Sequence, residues 1–251
     1  MKRRILTGLS LFWLCSIGAT AEINLFRGGN FRPVTMDGEA TSAYGWNLLD
    51  HGRHFRKDKS KYLSGKDCFS LSFSENSLGF EFAKTAPKDY FWHDLRLFNT
   101  SADMPLPMAP EYRFTGAVRL DMGGITLGGK RHLKAAEGWQ DFDLKLSAEE
   151  YAKTRKSIVI MKPVLPGMKV AMRNFRLEPL YPESKAKFIR LPDNGELHNL
   201  TIPADASFEL KYMAIFWQSW LWRLTGTVLP IIERKTLLAV PGSLVLLGAS
   251  P

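Results

Sequence analysis

Trp92, Asp94 and Arg96 share one side of the run 90–99, while Phe91, Leu95 and Leu97 share the other. In an extended chain every second residue lies on the same face. One face of this run therefore presents an indole ring beside a carboxylate and a guanidinium. A flat ring packs against the C–H face of a ring-shaped ligand, and flanking charges bond its hydroxyls. The run 112–122 repeats the arrangement. Tyr112, Phe114, Val118, Leu120 and Met122 point one way, and Arg113, Thr115, Arg119 and Asp121 the other. As a neighbouring strand it would add Arg113, Arg119 and Asp121 to the surface around Trp92. Tyr44, in a loop beside Trp46, is a further ligand-contact candidate at the edge. Two plainer readings stand beside this one: a loop covers Trp92, and Asp94 and Arg96 form a structural ion pair. Trp46 and Trp139 read as core or edge packing.

Other chemistries find less support. Residues 124–130 have the letters Gly-x4-Gly-Lys, but Arg131 follows where a phosphate loop needs Ser or Thr. The stretch reads as a glycine-rich hairpin turn. His51 and His54 lack a third ligand at suitable spacing and sit among Arg53, Arg56 and Lys57, so no metal is expected there. The basic stretch 53–66 has no interleaved aromatics for stacking bases, so nucleic acid is not an expected partner. Glu149 and Glu150 are adjacent and point in different directions, which does not make an acid–base pair. No local Ser/His/Asp pattern with a strained nucleophile turn stands out, and no catalytic residue is assigned.

The elements that must position these residues follow from periodicity. The chain has 251 residues, 45% hydrophobic and 24% charged, which suits one sizeable domain and excludes wholesale disorder. Alternation marks strands at 68–74, 78–82, 90–99, 112–122, 125–127, 142–146, 157–162 and 169–179. This predicts an all-β fold, an antiparallel sandwich of eight or nine strands over about 23–182. Ser147 followed by Glu150 is a capping-box start for a short helix to about Lys153. Residues 104–110 carry three prolines and read as an extended loop. Beyond Pro182, strands are expected at 187–191 and 207–212. Between Tyr212 and Pro251 only Arg223, Glu233, Arg234 and Lys235 are charged, and Trp217, Trp220 and Trp222 cluster. This tail has three readings: the opening of a further domain that is cut short, a membrane-associated segment, or an out-of-frame or spurious terminus with no evolved structure. Truncation or frame loss is favoured over membrane association, because a charge-poor, tryptophan-rich ending is an aggregation hazard. The span 213–232 has the length to cross a bilayer, but Arg223 stands in its middle.

Residues 1–21 read as a secretory leader: Lys2, Arg3 and Arg4, an apolar run, then Ala19-Thr20-Ala21. A secreted, periplasmic or envelope location is expected. Cleavage after Ala21 takes the net charge from +9 to +6. Cys15 lies in the leader, and Leu14 before it argues against lipid attachment. Cys68 is then alone, so the domain holds without an internal disulfide.

The stretch 24–180 resembles carbohydrate-binding modules with a galactose-binding-like jelly roll, the kind appended to xylanases and other glycoside hydrolases. The resemblance is carried by Asn24-Leu25-x-x-Gly28-Gly29-x-Phe31, by Trp46, and by Gly65 before Cys68-Phe69-Ser70-Leu71. It is carried further by Pro110-Glu111-Tyr112-Arg113-Phe114-Thr115-Gly116, by Gly138-Trp139-Gln140-Asp141-Phe142 and by Asn174-Phe175-Arg176-Leu177-Glu178-Pro179-Leu180. With the leader read at 1–21, it implies a β-sandwich at 22–184, followed by a C-terminal extension at 185–251 that is a candidate start of a truncated further domain. It implies non-catalytic binding of a poly- or oligosaccharide through Trp92, Asp94, Arg96, Arg113, Arg119 and Tyr44, with the arginines tilting toward uronic or sulfated sugars. The alternative is a glycoside hydrolase, or related glycan-degrading enzyme, that has lost its catalytic domain. In that family a calcium ion often ties the first strand to the last through carboxylates. Here Arg32 and Arg173-Asn174 occupy those places, so no cofactor is expected.

Overall fold

The alternating runs pair into two antiparallel sheets. The computed structural model describes residues 23–36, 39–50, 69–74, 76–85, 94–236 and 241–246. Trp92, Cys68, His51, His54, the stretch 53–66 and the leader 1–21 lie outside these described residues. A small hairpin of β1 (Pro33–Met36) and β2 (Glu39–Ala43) precedes the sandwich strands. Those are β3 (Trp46–Asp50), β4 (Phe69–Ser74), β5 (Ser77–Phe82), β6 (Leu95–Asn99), β7 (Glu111–Leu120) and β8 (Gly124–Leu127). They continue with β9 (Arg131–Lys134), β10 (Gln140–Ser147), β11 (Val159–Met161) and β12 (Lys169–Leu180). The first sheet has the order β10-β7-β12-β5-β4 and the second β3-β6-β11-β8-β9. Ten sandwich strands are thus present among the described residues, β3 and β9 being additional to those read from alternation.

The apolar faces meet in one core. Leu78, Phe80 and Phe82, Val170 and Met172, and Tyr112, Phe114, Val118 and Leu120 line the first sheet's inner side, all buried. Leu95, Leu97, Val159, Met161, Ile125, Leu127 and Leu133 line the second's. Strand β12 changes parity midway. A bulge between Arg173 and Arg176, with Asn174 at φ 54°, turns Phe175 and Leu177 inward where alternation from Met172 would turn them out. Phe175 then packs edge-on against Phe114, Phe142 and Trp46, with ring centroids 5.3, 5.4 and 5.7 Å apart. Gly116 sits beneath this cluster, where a Cβ would stand 2.5 Å from the Phe175 ring.

Two asparagines fasten the segment that precedes β1. The Asn24 amide donates to Phe175 O (2.8 Å) and accepts from Phe26 N–H (3.0 Å) and Leu177 N–H (2.9 Å), joining the chain's start to β12. Buried Asn99 exchanges two bonds with the Arg27 backbone, at 3.0 and 2.8 Å. Local punctuation follows the sequence. Gly128 and Gly129 both take positive φ in the β8–β9 hairpin turn, and Lys130 N–H donates to Leu127 O. Ser147 caps α1 (Ala148–Thr154), with Glu150 returning a bond to the Ser147 backbone.

The C-terminal part departs from expectation. After β13 (Ile189–Arg190) and β14 (Glu196–Leu197), strand β15 (Asn199–Pro203) leads into helix α2 (Phe208–Thr225). Residues 207–212, expected as a strand, instead open this helix: Ser207 caps it by accepting from Leu210 N–H. The helix returns to β16 (Ile231–Arg234), which pairs parallel with β15, as does β17 (Ser243–Val245). This unit packs on the sandwich. Leu200, Ile202, Tyr212, Ala214, Ile215, Leu229 and Ile231 are buried in the same apolar cluster as the sheets. Tyr212 OH donates to Pro105 O (2.9 Å), and the hydroxyls of Tyr181 and Ser219 meet at 2.6 Å. Among the described residues, no helix is long and apolar enough to cross a membrane. Trp217 and Trp220 are each 38% exposed.

Candidate functional site

The outer face of the first sheet carries a groove whose floor is made of missing side chains. Register places Ser72, Gly79, Ala171 and Arg119 side by side across β4, β5, β12 and β7. All four point outward. Three of them are small, so the sheet is recessed there. At Gly79 even a Cβ would stand 2.3 Å from Ser72 Oγ. The next row carries Ser70, Glu81 and Lys169, with Lys169 Nζ 3.3 Å from Glu81. Asp121, just past β7, accepts from Lys169 N–H at 2.7 Å and so holds that end of the row. Residues 135–138, between β9 and β10, form the far wall. The resulting cleft has a volume of about 640 Å³.

An arginine–tryptophan cluster adjoins the groove at Arg119. Gly138 takes φ 79° and delivers Trp139 immediately before Gln140, which pairs with Val118. Trp139 therefore stands beside Arg119. The guanidinium carbons of Arg119 and Arg173 lie 5.3 and 4.2 Å from its ring centroid. Trp139 is half-buried on the outer face at the edge strand β10, so of the two expected places it takes the edge and not the core. Arg173 is half-buried too, and its Nε has no hydrogen-bond acceptor among the described residues. Neither arginine forms an ion pair among the described residues.

The structure separates the residues that the sequence grouped. Strand β6 pairs with β3 and β11 in the second sheet, not with β7. Asp94 and Arg96 therefore lie on the opposite side of the sandwich from Arg113 and Arg119. They bond each other, Arg96 Nε and Nη2 to Asp94 Oδ2 at 3.0 and 2.9 Å, which is the structural ion pair. Arg113 grips Asp143 with Nε and Nη2, at 3.0 and 2.6 Å. That hydrogen bond raises the Arg113 pKa and lowers the Asp143 carboxyl below its ordinary range. Arg113 lies away from the groove. Tyr44 is exposed in the β2–β3 turn, with Arg27 over its ring at 6.0 Å. Arg27 also covers Phe208 and pairs with Glu209, so Tyr44 stands at the junction with α2. Of the residues expected at the site, Arg119 and Asp121 reach the groove. Trp92 lies outside the described residues.

Sequence reasoning passed over Ser72, Gly79, Ala171, Arg173 and Trp139. A signal existed for the floor: small residues at outward positions of strands that otherwise carry charge. No group of three or more His, Cys, Asp or Glu suited to a metal is present among the described residues. The tie between the first segment and the last strand, where the resemblance implied calcium, runs through the Asn24 amide.

No family model and no curated protein sequence matches the chain. Solved structures similar to it are carbohydrate-binding modules. A family 4 carbohydrate-binding module is 12% identical, covering 62% of this chain and 99% of its own, with a TM-score of 0.35. A family 29 module variant complexed with mannohexaose is 7% identical, covering 64% and 92%, with a TM-score of 0.33. The joined family 22 module and family 10 catalytic module of a Clostridium thermocellum xylanase, complexed with xylohexaose, is 7% identical. It covers 63% of this chain and 31% of its own, with a TM-score of 0.24. Likenesses of this degree decide nothing about a ligand.

Proposed function

We propose that the chain binds an oligo- or polysaccharide, without cleaving it, in the groove on the outer face of the first sheet. The recessed floor of Ser72, Gly79 and Ala171 is the observation that carries this reading. It makes a recess in the sheet's outer face of about 640 Å³, a size that takes a few sugar rings. Its walls offer what a polyhydroxylated ligand requires: the Ser72 hydroxyl, carboxylates at Glu81, Asp121 and Glu137, and cations at Lys169 and Arg119. The carboxylates serve as acceptors rather than as an acid–base pair, because Glu81 is held by Lys169 and Asp121 by the Lys169 N–H. The resemblance of six sequence stretches to carbohydrate-binding modules points the same way. The leader-like residues 1–21 support binding outside the cytoplasm as part of the same proposal.

The test is calorimetric titration of the full chain with neutral and acidic oligosaccharides, including mannohexaose, xylohexaose and oligouronates. Saturable binding to at least one is expected. Ala171→Leu, which fills the floor from a half-buried, outward-facing position, is expected to weaken that binding by at least about tenfold while the melting transition stays cooperative. Absence of binding across the panel, or binding indifferent to Ala171→Leu, would overturn the proposal.

A further inference from the structure

The outer face of the first sheet carries four arginines in two chemical states. Arg113 is held by Asp143, and Arg176 by Glu178. Arg119 and Arg173 have no carboxylate partner among the described residues, yet both are drawn to one ring, at 5.3 and 4.2 Å from the Trp139 centroid. Two cations gathered at one aromatic repel each other, and an anion set between them removes that repulsion. The buried Arg173 Nε, with no acceptor among the described residues, is a donor waiting for an oxygen. The cluster opens onto the groove through Arg119, which lines it.

The rest of the groove lining is carboxylate-bearing: Glu81, Asp121 and Glu137 line it, and Lys169 is already engaged by Glu81. Carboxylates accept from hydroxyls and disfavour a second anion. The groove thus offers an anion one place, at Arg119 and Arg173.

We infer that Arg119 and Arg173 form an anion subsite, so that the saccharide held in the groove carries a carboxylate or sulfate on one residue, next to a neutral one. This rests on the proposed saccharide-binding reading. Planar guanidinium groups suit both anions, since each presents coplanar or closely spaced oxygens to paired N–H donors. A chain charged on every residue fits less well, because its next anion would meet Glu81 and Asp121.

The experiment titrates the full chain with matched pairs. One pair is a xylo-oligosaccharide bearing a single glucuronate and the same saccharide after reduction of its carboxyl to an alcohol. The other is a monosulfated oligosaccharide and its desulfated form. The charged member of one pair is expected to bind at least about tenfold tighter than its neutralised partner, and which pair shows this identifies the anion. The ratio is expected to fall several-fold between 50 and 500 mM salt, as charge-driven recognition is screened. It is expected to approach one in Arg119→Gln, an exposed position, and to fall partway in Arg173→Lys, which keeps charge but loses the planar fork. Circular dichroism establishes that each variant is folded. A ratio near one in both pairs, with neutral hexasaccharides still binding saturably, overturns the anion subsite and leaves the groove reading standing. Absence of binding by any saccharide, charged or neutral, overturns both.

Discussion

Asn24 spends its whole amide on closing the sandwich. It donates once and accepts twice, and two of its partners, Phe175 and Leu177, lie 151 and 153 residues away. Removing the amide leaves the Leu177 and Phe26 N–H groups and the Phe175 carbonyl without it. Asn24→Ala is expected to cost about 2–3 kcal/mol, read as a lowered urea midpoint with an unchanged slope. Arg113→Ala in the same experiment is expected to leave the midpoint in place, because its bidentate pair with Asp143 is exposed on the surface. Hydrogen-bond number alone does not rank these two residues; burial does. The residue scale is also where sequence and structure part most. Arg119 was recognisable as an outward-facing cation from the alternation of β7. Its neighbours Trp139 and Arg173 were not, because they reach it from strands on either side, and only the pairing β10-β7-β12 brings them together. Alternation tells in from out; it does not tell one sheet from the other, which is why Asp94 and Arg96 were grouped with residues on the far face.

Elements with a long, uninterrupted period were legible. β4, with Phe69, Leu71 and Phe73 on one side and serines on the other, was readable from its letters, and so was α1, whose capping box spans four residues. α2 was misread for a physical reason. Phe208, Leu210 and Tyr212 alternate over five residues, a window too short to separate period two from 3.6. The decisive residues are further on: Ile215 and Ser219 continue the buried stripe from Tyr212 at helical spacing, and Gly226 ends the helix at φ 72°. The cap distinguishes the two readings experimentally. Ser207→Ala is expected to destabilise the chain by about 1 kcal/mol in urea unfolding, since Leu210 N–H loses its acceptor. A strand at 207–212 would show no such loss. The groove likewise belongs to this scale, because its floor is a property of three neighbouring strands and of no single one.

At the scale of the whole molecule, buried phenols tie the sandwich to the C-terminal unit. Tyr112 and Tyr212 donate to the carbonyls of Pro107 and Pro105 in the proline-rich loop. Burial pushes the Tyr181 and Tyr212 hydroxyls up from 10.0 to about 12, and those of Tyr112 and Tyr151 higher still. In the unfolded chain these phenols ionise near pH 10; in the folded chain they stay neutral. Their contribution is therefore complete below pH 10 and is lost as pH rises toward 12. Stability measured by urea unfolding is expected to fall across that interval. Phenolate absorbance is expected to lag behind that of four free tyrosines until the chain unfolds, and ionisation without a lag would contradict their burial. The Asn24 tie has one more consequence. Leu25 N–H donates to Leu177 O at 2.9 Å, so the points where the chain joins and leaves the sandwich are laid against each other. Tension applied at either point therefore loads the same clasp of Asn24 on β12 across its hydrogen bonds at once, rather than peeling one strand bond by bond.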